Sequence, residues 1–241
     1  MKDKLRKYLE FIPKTLLSKE VFEKNYDGLF FESKLTDTQG YIMFNDSPEE
    51  IIIAFRGTEP KLIDWLTNFK FTHKVVPYNN KDSEIRVHVG FINAYKSVRG
   101  TIHNYLSEIA NPKKVTIIGH SLGGALANLC AVDLQYNFKD LKISCYTYGA
   151  PRVGNVDFAD SYNMRIPDTH RVYMRTDVVP ALPFTWIQLF KGGYKHAGQE
   201  HPIGPNNIFV GIQNIFMPHR RLSSQLTNHS VELYRKYLTL K

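Results

Sequence analysis

At 241 residues with 43% hydrophobic side chains, the chain has enough apolar material for one large α/β domain or two small ones. Its net charge of +8 is spread out: the densest groups are Lys2, Lys4, Arg6 and Lys7, then Arg220–Arg221 and Arg235–Lys236. No basic block and no interleaving of aromatic and basic residues occurs, which argues against nucleic acid as a partner, and two cysteines, Cys130 and Cys145, exclude a disulfide-rich scaffold.

Leu5, Tyr8, Leu9 and Ile12 are spaced for a helix ending near Pro13, within an N-terminal helical segment over residues 1–35. Lys and Glu interrupt every apolar cluster of the first thirty residues, so no signal-peptide core is seen. No run reaches transmembrane length. The chain is expected to be cytoplasmic, with secretion left open. Residues 41–44 and 51–55 read as strands joined by the turn Asn45-Asp46-Ser47-Pro48, and 85–89 alternates like a half-buried strand. Residues 92–109 are predicted helical, with a turn at Asn111-Pro112. The apolar run 115–118 is followed by a helix from Gly124 to about Tyr136, strands at 143–148 and 171–174, and a last helix over 231–238. Strands alternating with helices predict a mostly parallel central sheet flanked by helices on both faces, in a single domain over 1–241. Two segments, 59–71 and 181–216, fit no regular element and read as long loops of the kind that carry function.

Gly119-His120-Ser121-Leu122-Gly123 lies between a predicted strand and a predicted helix. G-x-S-x-G in that context describes a nucleophile elbow. The glycines let strand and helix approach closely, and the serine is left at the strand's carboxyl end over the positive end of the helix. His120 is expected to point away from the serine as a packing residue.

A serine hydroxyl needs a base, and the base needs an acid that sets its tautomer. Asp177 stands just past the strand 171–174; Asp160 and Asp168 lack a preceding strand. His196, His201, His219 and His229 follow in chain order, and His229, at the start of the last helix, suits a base carried on a loop. His196, His201 and Glu200 lack the companions of a metal site, so no metal is expected. An oxyanion would take the N–H of Leu122 and a second donor from 54–60, where Gly57 permits a turn and Thr58 offers an N–H and a hydroxyl.

Five blocks now carry a resemblance: residues 53–58 (Ile-Ala-Phe-Arg-Gly-Thr), the elbow 119–124, 148–155 (Tyr-Gly-Ala-Pro-Arg-Val-Gly-Asn), 177–180 (Asp-Val-Val-Pro) and 229–234. In this order they resemble the fungal-type (class 3) lipases over roughly residues 40 to 238. The resemblance implies an α/β-hydrolase fold, with Ser121 as nucleophile, Asp177 as acid, His229 as base, and Thr58 with Leu122 as the oxyanion hole. It implies hydrolysis of lipid carboxylic esters through an acyl-enzyme, with no cofactor. The residue before the histidine is Asn228, where the family commonly has Asp.

Residues 59–70 stand where family members carry a lid. Leu62, Trp65, Leu66 and Phe69 share one helical face there, which fits either a lid or a core helix. A lid and the dispersed positive charge would favour peripheral association with lipid interfaces. Phospholipase A1 or feruloyl-type esterase activity would use the same residues. In another class, the chain would be a non-catalytic interaction module on this fold.

Overall fold

The computed structural model describes residues 1–45, 49–57, 73–75, 84–109, 112–183, 193–205 and 226–240. Helix α1 (Lys2–Leu9) buries Leu5, Tyr8 and Leu9 along one face, and Pro13 opens a 3₁₀ turn that ends the run. Ser18 caps α2 (Lys19–Asn25), accepting a hydrogen bond from the Val21 N–H at 3.4 Å. The N-terminal segment read as helical up to residue 35 is only partly so, because residues 28–33 form strand β1 (Gly28–Ser33). Its Gly-Leu-Phe-Phe-Glu-Ser sequence lacks clean alternation. Antiparallel pairing with β2 (Thr38–Phe44) decides it, with Phe31 opposite Gly40.

Strand β3 (Glu50–Phe55) follows, then β4 (His73–Val75), β5 (Arg86–His88) and α3 (Val89–Glu108). Val89, read as a strand residue, opens the helix instead. His88 caps it, its Nδ1 accepting from the Gly90 N–H at 3.2 Å. Next come β6 (Lys114–His120), α4 (Leu122–Asn137), β7 (Lys142–Tyr148), β8 (Gly154–Asn155) and α5 (Val156–Arg165). Helix α5 has no counterpart among the predicted elements. Its signals are an Asn155 cap on the Phe158 N–H at 3.0 Å and buried residues at 158, 159 and 162. Strand β9 (Thr169–Met174), the short β10 (Tyr194–Lys195), β11 (Gln199–Ile203) and α6 (Val231–Thr239) complete the order.

The main sheet runs β1-β2-β3-β6-β7-β9-β11, with β3, β6, β7, β9 and β11 mutually parallel. A second sheet runs β10-β8-β5-β4. The central parallel strands β3, β6 and β7 are largely apolar on both sides because both sides are covered. Phe55, Ile117, Cys145 and residues of α3, α4 and α5 form one core. Ile52, Ile118, Tyr146, Val172 and residues of α1 and α6 form the other. Cys130 and Cys145 are buried free thiols, and burial pushes Cys145 up to about 12. Strand β11 corrects the reading of 181–216 as loop throughout. Pro202 and charged residues hide a strand in the sequence, but β11 is an edge strand, where a missing N–H costs little. The turn residues 46–48 and 111, with 59–71, lie outside the described residues. No helix among the described residues is long and apolar enough to cross a membrane.

Candidate active site

Parallel strands place their following loops at one edge of the sheet, so β3, β6, β7 and β9 deliver Arg56–Gly57, Ser121, Gly149 and Asp177 to the same side. The turn after β6 is tight. A Cβ at Gly119 would lie 2.1 Å from the Gly123 carbonyl oxygen, so the crossing excludes any side chain there. Ser121 sits between strand and helix at φ 57°, ψ −129°, sharing positive φ with only Asp37 among the described non-glycine residues. Backbone strain of this kind costs about 1–3 kcal/mol and is held by the surroundings. Here the Ser121 N–H donates to the Tyr148 carbonyl at 2.9 Å, and the Ser121 carbonyl accepts from Gly124 at 3.0 Å. Leu122 is the first residue of α4, so its N–H has no partner within the helix.

His229 ends the 3₁₀ turn Leu226–His229, one residue before Ser230, whose hydroxyl caps α6 by accepting from Leu233 at 3.3 Å. Its Nδ1 lies 2.6 Å from Asp177 Oδ2. A carboxylate only accepts, so Nδ1 carries the hydrogen and Nε2 of the neutral ring is left with a lone pair. His229 Nε2 and Ser121 Oγ are both buried and have no hydrogen-bond partner among the described residues. Buried polar atoms are nearly always paired, so two unpaired ones in adjoining segments point to a site built to accept something.

Asp177 is fixed by three donors. The Val179 N–H reaches Oδ1 at 3.0 Å, while His229 and the Tyr234 hydroxyl, at 2.7 Å, both reach Oδ2. Tyr234 in turn accepts from the Met174 N–H at 3.1 Å, and burial pushes its own pKa well above the ordinary tyrosine value. Gly149, at φ 59°, leaves room for this group. A Cβ there would be 2.9 Å from His229 Cε1 and from the Tyr234 hydroxyl.

The structure therefore brings Asp177 to His229 and, among the described residues, leaves the other candidates elsewhere. Asp160 is exposed and pairs with Lys195 at 2.7 Å. Asp168 accepts from Ser144 and from His170. His196 is 2.7 Å from the Pro180 carbonyl, and His201 is 2.9 Å from His170. Gly57 adjoins the serine, since a Cβ on it would lie 3.3 Å from Ser121 Cβ. Thr58 and His219, with Leu62, Trp65, Leu66 and Phe69, lie outside the described residues. No group of three His, Cys, Asp or Glu side chains suited to a metal ion occurs among the described residues. Two neighbours escaped the sequence reading. Tyr234 enters there only as a residue of the last helix and of the block 229–234. His120, read as packing, places its Nε2 2.7 Å from the His229 carbonyl oxygen.

Secreted mono- and diacylglycerol lipase A of Penicillium cyclopium is 33% identical over 196 residues, 79% of this chain and 60% of that protein. The chain thus spans less than two thirds of that relative's length. That the relative is named a secreted protein leaves the expected cytoplasmic location without support. The solved structure of Rhizomucor miehei triacylglyceride lipase superposes with a TM-score of 0.70 at 27% identity, covering 85% of this chain and 80% of that one. A triacylglycerol lipase described as having a serine protease triad at its catalytic centre gives 0.71 at 27% identity, covering 85% and 80%. The family described as Lipase (class 3) matches residues 52–186, and with more than half of its length so matched, this chain belongs to the class 3 lipases.

Proposed function

We propose that this protein hydrolyses carboxylic esters of lipids, of the triacylglycerol type, through an acyl-enzyme on Ser121. The observation that carries the reading is the buried Asp177–His229 hydrogen bond beside the elbow, with His229 Nε2 and Ser121 Oγ both unpaired. His229 Nε2 takes the Ser121 proton as Oγ attacks the ester carbonyl. Asp177 holds the tautomer and offsets the charge that forms on the ring. The Leu122 N–H and Thr58 stabilise the oxyanion. His229 then protonates the leaving alcohol, and water repeats the sequence to release the acid. The family matched by this chain and the serine triad of its structural neighbour support these assignments.

The same reading makes residues 59–70 a lid over the serine within a single domain, and makes a lipid interface the setting in which it opens. Exposing Leu62, Trp65, Leu66 and Phe69 to water costs about 25 cal/mol per Å² of apolar surface, and an interface removes that cost.

The test is labelling by a fluorophosphonate together with a panel of triacylglycerol, phospholipid and short p-nitrophenyl esters. Expected are labelling that Ser121→Ala abolishes, turnover of triacylglycerol, and a blue shift of Trp65 fluorescence on anionic vesicles. Absence of labelling in the folded protein would leave a non-catalytic module. A preference for phospholipid over triacylglycerol would give the site to a phospholipase.

A further inference from the structure

We infer that His120 is a positioning residue for this reaction, holding the base segment against the nucleophile strand and presenting a neutral ring face to His229. The inference rests on the hydrolase reading above. His120 ends β6 and is bonded covalently to Ser121, yet its side chain reaches a residue 109 positions later, its Nε2 standing 2.7 Å from the His229 carbonyl oxygen. A carbonyl only accepts, so Nε2 carries the hydrogen and the tautomer of the neutral ring is set. His229 is thereby held at two points: Asp177 fixes its ring through Nδ1, and His120 fixes its backbone. Since His120 and Ser121 are adjacent, the bond from His120 gauges the separation between nucleophile and base.

The rings add a second contact. Their centroids are 4.5 Å apart with 30° between the planes. When His229 takes the serine proton it becomes a cation, and a neutral aromatic face at this distance attracts it. A charged His120 would repel it instead. His120 stays neutral because it is 3% exposed. Burial holds its pKa well below the ordinary histidine value and the charge of His229 pushes the same way, against the opposing hydrogen bond to the His229 backbone. Among the described residues, the titratable groups around it are His229, from the segment before α6, Tyr234 on α6, whose ring meets it edge-on at 5.8 Å, and Tyr148, its register partner on β7. Packing alone would require the ring's volume and not its donor.

The two requirements separate by mutation. His120→Phe keeps the volume and an aromatic face but deletes the donor; His120→Gln keeps a donor and deletes the face. Wild type, both variants and Ser121→Ala are compared for kcat and KM on a soluble p-nitrophenyl ester, for fluorophosphonate labelling and for thermal midpoint. His120→Phe is expected to lower kcat about 30-fold with KM within about twofold, since misplacement by about 1 Å costs up to about 10²-fold. His120→Gln is expected within about fivefold of wild type. Nitrogen-15 spectra of the wild-type histidines, which need no variant to fold, should show His120 as the Nε2–H tautomer without titration from about pH 5 to 8. A titrating or Nδ1–H His120, full kcat in His120→Phe, or losses in both variants that merely follow the thermal midpoint would each reduce His120 to packing. A wild type that neither labels nor turns over overturns the hydrolase reading and this one with it. An active, labelled wild type with an indifferent His120→Phe overturns this one alone.

Discussion

Two buried aspartates in this protein each hold a histidine and a tyrosine at nearly equal distances, and we assign chemistry to one of them. Asp177 accepts from His229 at 2.6 Å and Tyr234 at 2.7 Å. Asp133, one turn before the end of α4, accepts from Tyr95 and His103, each at 2.6 Å, from Arg99 at 2.9 Å and from Asn137 at 3.0 Å. Tyr95, Arg99 and His103 stand four residues apart along one face of α3, so this second cluster ties two helices together. Asp177 holds its histidine by Nδ1, leaving Nε2 buried and unpaired in a segment that meets His120, the residue before an equally unpaired Ser121. Asp133 holds its histidine by Nε2, receives a fixed positive charge from Arg99, and includes no unpaired buried polar atom among the described residues. An Asp–His–Tyr group is therefore not in itself a mark of catalysis. What counts is which ring nitrogen remains, and whether it remains at the carboxyl ends of the strands.

The sharpest way to break this contrast is to delete the group at each centre. Ser121→Ala and His229→Ala should each lower kcat by about 10⁶ while the protein folds normally, because such groups act as a unit. His103→Ala should leave kcat within about twofold, and assays on a soluble ester with circular dichroism as the control read both. Asp177→Asn should cost about 10⁴ in kcat by favouring the wrong tautomer of His229. Asp133→Asn, its counterpart, should leave kcat unaltered. Tyr234→Phe removes one donor to a carboxylate, worth about 1.5–3 kcal/mol, so kcat should fall about ten- to a hundredfold with KM nearly constant.

At the structural cluster the effects move to stability. Asp133→Ala leaves the Tyr95 hydroxyl buried without an acceptor, which should lower the unfolding free energy by about 1–3 kcal/mol in urea titrations and spare kcat. The smallest effect is on pH dependence. Burial pushes the Asp133 carboxyl up, but hydrogen bonds from His103 and Tyr95 and the charges of His103 and Arg99 outweigh it and hold the pKa below the ordinary aspartate value. A depressed folded-state pKa contributes stability that is complete above the unfolded value, about 3.9, and is lost as pH falls through the folded one. The stability advantage of wild type over Asp133→Asn should therefore shrink as pH falls below about 4. A difference that grew on acidification would mean that Arg99 and His103 do not hold the carboxylate charged.

Much of the catalytic half of this comparison is legible in the sequence because it depends on local geometry. Residues 115 to about 136 read as strand, turn and helix from their own periodicity and glycines, since only a chain lacking Cβ at 119 can make that crossing. Asp177 follows directly from the end of a strand. What escapes is held by long-range bonds. Strand β1 owes its state to its pairing with β2, and β11 to an edge position beside β9 that Pro202 would otherwise forbid. Helix α5 carries local signals, an Asn cap and apolar spacing, yet no predicted element covers it.

The order of strands and helices, the elbow and the identity of nucleophile and acid candidates belong to the sequence by itself, because each is written in residues a few positions apart. Tertiary structure brings His229, and not His196 or His201, to Asp177, a pairing the sequence carries only through the helix-start place of His229 and the resemblance. Asp177 and His229 are separated by 52 positions, and periodicity carries no information over that distance. It alone draws the Tyr234 hydroxyl to Asp177 and the His120 donor to the His229 carbonyl. It also alone separates two similar Asp–His–Tyr groups, since which ring nitrogen stays unpaired depends on the direction from which the sheet and helices bring each side chain.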